Sequence, residues 1–409
     1  MFLNGKGYNH LLETCMNRLP TRARPAAVLA SALLGIASSA HAVDYSGYFR
    51  AGPGLTSESA SRGCYGLNQG SAGMKYRLGN ECDFYGEFQL GKGFAKDGID
   101  YRVTLMVNQY TPATQNAGDK GLNIEQLWAE AKGFDIAPQA TFWIGKERGR
   151  RGDVHIVDTF FVEMLGVGAG FKGQPLGAGK FGAAFYKTDT DPARPGNRVN
   201  LEYVDLPANP GGKLNFFATA TKGDFTGGTS GTGFTVRHDQ ADLLGTGLDN
   251  ALWVQVANGS TGLNANFGDL TAGSSARSWR VVQSLSGQRG ALGGQTLLLL
   301  ASKKNAAGQK TDSASVGGRV SYGVTKNFKM VGEVGLSQAK PQGGETARLA
   351  KVTIAPTLSV DGGFWTRPEF RLYVTHAKWN AAAGNVTGQA AFAGKTSGTS
   401  LGAQVEWWF

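Results

Sequence analysis

The sequence has little of the chemistry that most enzymes depend on. Only 5 of its 409 residues are histidine and only 3 are cysteine. It contains no G-x-S-x-G nucleophile motif, no H-E-x-x-H zinc motif and no C-x-x-C pair. These absences argue against the common hydrolases and metalloenzymes. We therefore expect no catalytic residue, no bound metal and no cofactor.

Long apolar runs are also missing. The chain is 41% hydrophobic with a negative mean hydropathy, which is low for a helical membrane protein. Glycine is abundant at 61 residues, proline is modest at 13, and aromatic residues make up 10%. This combination favours many short strands with tight turns, and it suits a membrane barrel because only every second strand residue faces lipid. The basic residues are scattered, so we expect no nucleic-acid partner.

The N-terminal region has the pattern of a secretory signal peptide over residues 17–42. Arg18, Arg22 and Arg24 form its basic part, Pro25 to Ala37 its apolar part, and Ala40-His41-Ala42 its cleavage site. The apolar run is too short for a transmembrane anchor. Residues 1–15 precede the signal, with Met16 as the expected start. The predicted division is therefore 1–42 signal segment and 43–409 one barrel domain.

Removal of that segment leaves Cys64 and Cys82. Two cysteines at short separation in an oxidising compartment indicate one disulfide. Two free thiols are the alternative.

Alternation of polar and apolar residues appears in several stretches, among them 43–51, 75–90, 328–337 and 400–409. Because successive strand side chains point to opposite faces, each stretch predicts one polar and one apolar face. A soluble β-sandwich would alternate too, but the chain ends on an aromatic residue, Phe409, as outer-membrane barrel strands usually do. No domain boundary is visible, so we expect one multi-pass barrel in a Gram-negative outer membrane.

Three aromatic side chains fall on polar faces, among charges: Tyr48, Tyr85 and Trp408. An aromatic ring in a water-filled lumen is useful if it binds an object with apolar faces and polar edges, such as a sugar. Carboxylates such as Glu87 and Asp158 could form a glycosidase pair, but hydrogen bonding to sugar hydroxyls is the simpler interpretation. The pattern predicts a sugar channel.

Several segments resemble the maltoporin family: Val43–Arg50, Lys75–Cys82, Trp143–Asp158, Trp365–Pro368 and Gly402–Trp408. The resemblance implies an all-β fold, a transmembrane antiparallel barrel of 18 strands with an in-folded constriction loop. It also implies a homotrimer in outer-membrane lipid, a Cys64–Cys82 disulfide, and passage of maltose and malto-oligosaccharides. About 20 residues per strand and connection suit strands that cross a bilayer.

The resemblance also implies roles for individual residues. The family's aromatic slide maps to Tyr48, Tyr85, Phe234, Trp365 and Trp408, and its polar track to Arg50, Arg77, Glu87, Arg151, Asp153 and Asp158. Phe234 does not sort cleanly to the polar face. A track arginine is lost near Ile124, and Phe160 replaces the constriction tyrosine. Because of these departures, two alternatives stay open: a porin for sucrose or another sugar, and a general diffusion porin.

Overall fold

A computed structural model describes residues 43–67, 74–112 and 121–409. The predicted signal segment, residues 1–42, lies outside the described residues. The described residues form nineteen strand segments in one sheet. In chain order these are β1 Asp44–Ala51, β2 Gly54–Thr56, β3 Phe84–Lys96, β4 Ile99–Thr111, β5 Asn123–Lys132, β6 Thr141–Val154, β7 Thr159–Leu176, β8 Gly179–Thr188, β9 Gly196–Asn209, β10 Gly212–Gly223, β11 Ser230–Gln240, β12 Leu248–Asn258, β13 Arg277–Arg289, β14 Leu292–Lys304, β15 Lys310–Gly323, β16 Phe328–Pro341, β17 Ala347–Ser359, β18 Glu369–Trp379 and β19 Ser397–Trp408.

The sheet closes on itself, because the first strand pairs with the last. Tyr48 of β1 lies opposite Trp408 of β19 in an antiparallel register. Further along β19, the short β2 continues the line of β1 after a break at residues 52–53. The nineteen described segments therefore occupy eighteen positions around the wall, all antiparallel. Full closure satisfies every strand edge, which a β-structure in lipid requires. No helix in the described part of the chain is long and apolar enough to cross a bilayer.

The two faces of the wall differ as the sequence predicts. In β16, Lys329, Glu333 and Ser337 are buried, whereas Val334 and Leu336 are about half exposed. We call the face with exposed apolar side chains the outer face and the one with buried polar side chains the inner face. The alternation predicted for 43–51, 328–337 and 400–409 is confirmed.

The strand predicted over 75–90 is wrong for residues 75–83. Tyr76 and Gly79 have positive φ angles, and the Asn80 amide donates to the Arg77 carbonyl in a turn. Strand β3 begins only at Phe84. The described parts of the β2–β3 connection pack against inner-face residues instead. The amide of Leu78, for example, donates to Glu333 at 2.8 Å.

The connection between β2 and β3 is closed by the Cys64–Cys82 disulfide, so that prediction is confirmed. Distant strands also hold the connection. The Tyr76 hydroxyl hydrogen-bonds Ser315 of β15 at 2.9 Å, and the Lys351 ammonium of β17 donates to the Tyr65 carbonyl at 3.0 Å.

The β6–β7 connection and the start of β7 also form hydrogen bonds with distant strands. A 3-10 turn spans His155–Val157, and the Ile156 amide donates to Gln295 of β14 at 3.2 Å. The side-chain amide of Gln255 in β12 donates to the Phe161 carbonyl at 2.6 Å. These partners lie far around the wall from β6 and β7.

Candidate functional site

The pairing of the first and last strands brings together three of the predicted aromatic residues. Tyr48 lies opposite Trp408 on β19 and opposite Glu87 on β3. The rings of Tyr48 and Tyr85 have centroids 6.1 Å apart. Residues separated by most of the chain thus form one aromatic group on the inner face.

Trp365 joins this group through His155. The His155 ring centroid lies 5.5 Å from that of Trp365 and 5.5 Å from that of Trp408, edge-on in both cases. Arg367 places its guanidinium carbon 4.0 Å from the centroid of the Trp408 ring. Trp365 lies in the β17–β18 connection and is 42% exposed, so its ring remains accessible.

Charged side chains surround the aromatic group. Arg50 binds both carboxylate oxygens of Asp83, at 3.0 and 2.7 Å, and one oxygen of Asp158 at 2.9 Å. Arg77 binds Glu81 at 2.8 Å and also donates to the Tyr48 hydroxyl. Two-pronged, charge-assisted bonds of this type hold guanidinium groups in fixed orientations. Three predicted track residues, Arg50, Arg77 and Asp158, therefore lie in one network.

Asp158 of this network and His155, which contacts Arg77, lie in the β6–β7 connection, outside the strands, and their surroundings set their charge. Burial opposes ionisation of Asp158, but the nearby Arg77 and Arg50 charges outweigh it and keep the pKa of Asp158 below its usual value. Burial lowers the pKa of His155 well below its ordinary value, and Glu406 opposes this only in part. At neutral pH, Asp158 is therefore an anion and His155 is uncharged.

Glu87 belongs to a second charged group, together with an arginine that the sequence analysis missed. Arg148 of β6 binds Glu87 at 3.0 Å and Glu125 at 3.1 Å, and the Tyr85 hydroxyl donates to Glu87 at 2.6 Å. Glu125 is the neighbour of Ile124, where the resemblance expects an arginine. A guanidinium thus reaches that region from another strand. The three arginines within residues 148–151 were the available signal.

Phe160, the predicted constriction residue, and the predicted track residues Arg151 and Asp153 form a third group, on the end of β6 and the start of β7. The Arg151 guanidinium carbon lies 3.9 Å from the centroid of the Phe160 ring. Asp153 pairs with Phe160 across the two strands. Arg151 and Asp153 are both exposed. The structure does not bring these two track residues into the Arg50 network.

Phe234 does not join the other aromatic residues. Its neighbour Thr235 is buried and accepts a hydrogen bond from Gln255, an inner-face residue. Phe234 therefore points outward, where it is 43% exposed and stacks with Phe216 at 6.3 Å. The slide role that the resemblance implies for this residue disagrees with its outer-face position.

A buried charge cluster beside Trp408 was also not predicted. Glu406 binds Arg367 at 2.9 Å, Glu369 binds Lys329 at 2.7 Å, and Arg371 contacts both carboxylates. The alternation of the sequence predicts that these residues share one face, but the salt bridges between them form only in the closed barrel. Within the described ranges, no group of three or more His, Cys, Asp or Glu side chains could hold a metal.

Comparison with known proteins agrees with this geometry. The LamB porin family matches residues 43–409. The chain belongs to the LamB porin family. This porin is a multi-pass β-barrel channel of the outer membrane, and both the family and the fold indicate a channel rather than an enzyme.

Solved structures similar to this porin support the fold. OccK3 (OpdO) of Pseudomonas aeruginosa has a TM-score of 0.50 and 10% identity, over 90% of this chain and 95% of its own. OpdK of the same organism has a TM-score of 0.50 and 11% identity, over 90% of this chain and 99% of its own. At such identities the similarity concerns the fold alone.

Proposed function

We propose that this porin passes malto-oligosaccharides along the aromatic residues Tyr48, Tyr85, Trp365 and Trp408. The observation that carries the proposal is their grouping on the inner face, next to fixed charges. Sugar rings stack their apolar faces on aromatic rings, while their hydroxyls exchange hydrogen bonds with charged groups. Phe234 is left out of this path because it lies on the outer face.

The polar track of the proposed path has two parts. Arg50, Arg77 and Asp158 supply one part beside the aromatic group. Glu87 and Arg148 supply the other, and Arg148 serves in place of the arginine missing near Ile124. Each contact in such a path is weak and repeated, so that a sugar both enters and leaves.

The β6–β7 connection and the adjoining ends of β6 and β7 form the constriction in this proposal. Its support is the set of hydrogen bonds that Ile156 and Phe161 make with distant inner-face residues. Arg151, Asp153 and Phe160 then line the narrow point, where Arg151 and Asp153 are exposed. The proposal also includes cleavage of residues 1–42 and assembly into a homotrimer surrounded by outer-membrane lipid.

Conductance in planar bilayers tests the sugar. Single-channel current would be measured while maltotriose, sucrose or an unrelated disaccharide such as lactose is titrated. We expect maltotriose to block the current at the lowest concentration. Stronger block by sucrose would reassign the substrate, and absence of block by every sugar would indicate a general diffusion porin.

A further inference from the structure

The outer face carries a groove that the channel function does not use. It has a volume of about 560 Å³ and lies across strands β14 to β18. Leu298, Val316, Leu336 and Ala350 follow one another across the sheet in register, and Lys378 continues the same row. The three larger apolar side chains of the row are each about half exposed.

Small side chains create the depression. Ala350 follows Leu336 in the row, and Ala314 occupies the adjacent row between Leu300 and Gln338. The missing side-chain volume at the two alanines leaves space beside the flanking leucines. The surface is therefore shaped for a flexible apolar chain rather than for a polar ligand.

Two basic residues border this groove. Arg348 lies opposite Gln338 and Lys378 lies opposite Ala350, and both are exposed. Neither forms a salt bridge with a carboxylate of the described residues. Lys340 and Lys304, also exposed, stand on the outer face of the neighbouring strands. Asp312 lies opposite Lys340 and forms a salt bridge with Lys310, so the local charge is net positive.

The position of the groove along the barrel identifies the leaflet. Arg348 is the second residue of β17, and Lys378 precedes the long 380–396 connection. The opposite end of the barrel has two-residue turns, such as 97–98 and 210–211. In outer-membrane barrels the short turns face the periplasm and the longer connections face outward. The basic residues therefore lie at the outer leaflet.

We propose that this groove binds the lipid A part of lipopolysaccharide, with an acyl chain along Leu298, Val316 and Leu336 and a headgroup phosphate on Arg348 and Lys378. Charge complementarity favours this occupant, because the exposed Arg348 and Lys378 side chains match the negative charge of the headgroup phosphates. Charge-assisted bonds from guanidinium and ammonium groups to phosphate are among the stronger polar contacts.

Native mass spectrometry of the delipidated full-length porin in detergent tests this assignment. The probes are bisphosphorylated lipid A and the same lipid after removal of both phosphates. The double variant Arg348→Gln/Lys378→Gln should bind phosphorylated lipid A about tenfold more weakly. It should bind the dephosphorylated lipid as the wild type does.

A matched control is available on the same rim. Lys187 and Lys222 both lie opposite Asn197, on the outer face of β8 and β10, away from the groove. Lys187→Gln/Lys222→Gln should leave lipid A binding unchanged. Ala350→Trp, which fills the groove and keeps both charges, should weaken binding of both lipids.

Three outcomes would overturn the proposal. One is equal lipid A binding by the Arg348/Lys378 variant and the wild type. Another is an equal loss in the Lys187/Lys222 control, which would indicate only nonspecific charge attraction. The third is a changed oligomeric state in Ala350→Trp, which would show that the groove is an interface between copies of this chain.

Discussion

Trp407 and Trp408 are neighbours in sequence but lie on opposite faces of β19. Trp407 points outward, with its ring centroid 5.7 Å from that of Phe49 and 5.4 Å from that of Phe409. Trp408 lies on the inner face against Arg367 and His155. Two residues of identical chemistry therefore offer a controlled comparison between lumen and lipid.

Replacement of Trp408 should weaken sugar binding. Stacking contacts contribute roughly 0.5–1.5 kcal/mol each beyond area burial, so Trp408→Ala should lower affinity about three- to tenfold. Trp408→Phe should retain most of the affinity. Trp407→Ala should leave affinity unchanged and lower barrel stability. Sugar-dependent current block measures the sugar affinity of all three variants. Loss of block in Trp407→Ala alone would reverse the proposed roles.

Phe160 offers a second single-residue test. Arg151 covers one face of its ring, so a sugar can meet only the other face or the edge. A hydroxyl added by Phe160→Tyr makes that surface more polar and better hydrated. We expect oligosaccharide affinity to fall by less than about threefold. Tighter current block by maltotriose in the variant would contradict this view of the constriction.

Asp158 should make the fold acid-sensitive. Its pKa is lower in the folded porin than in the unfolded chain, so its contribution to stability is present above about pH 4. That contribution is lost as the pH falls through the folded pKa. Asp158→Asn should be less stable at neutral pH, and its melting temperature should fall less on acidification. The control is Asp189→Asn at an exposed position; a wild-type acid profile in Asp158→Asn would refute the assignment.

At the scale of elements, the β2–β3 connection positions much of the charged network. It carries Arg77, Glu81 and Asp83 and is fastened by the Cys64–Cys82 disulfide. A separation of 18 residues corresponds to a stabilisation of about 3 kcal/mol in the chain-entropy account. The disulfide of the β2–β3 connection thus helps to hold the charged residues of the proposed sugar path in place.

Removal of this disulfide should therefore affect both stability and sugar binding. We expect Cys64→Ser/Cys82→Ser to melt at a lower temperature and to show weaker sugar block, because Arg77 and Asp83 become less well held. Reduced wild-type protein should behave in the same way. Unchanged block in the double variant would mean that Glu333, Ser315 and Lys351 suffice to hold the connection.

At the scale of the whole molecule, the proposed homotrimer can be tested directly. The porin extracted in mild detergent should run in SDS as an oligomer that dissociates to monomers on heating. Native mass spectrometry should give three times the mass of the mature chain. A monomer under both conditions would exclude the trimer while leaving the barrel and its inner face unaffected.

The sequence by itself determined the alternating faces of the wall. The faces of β1, β16 and β19 follow from a period of two, which is a local property of extended chain. For the same reason the sequence assigned Tyr48 and Trp408 to the polar face correctly. The Cys64–Cys82 pairing could also be predicted, because residues 43–409 contain only these two cysteines.

Only the tertiary structure decided the positions that depend on closure. Residues 75–83 alternate like a strand, yet they leave the wall because Leu78 finds Glu333, 255 positions away in sequence. Arg148 reaches Glu125 from another strand, and Arg367 meets Glu406 only when β18 and β19 pair. Such contacts join residues distant in sequence, so local periodicity carries no information about them.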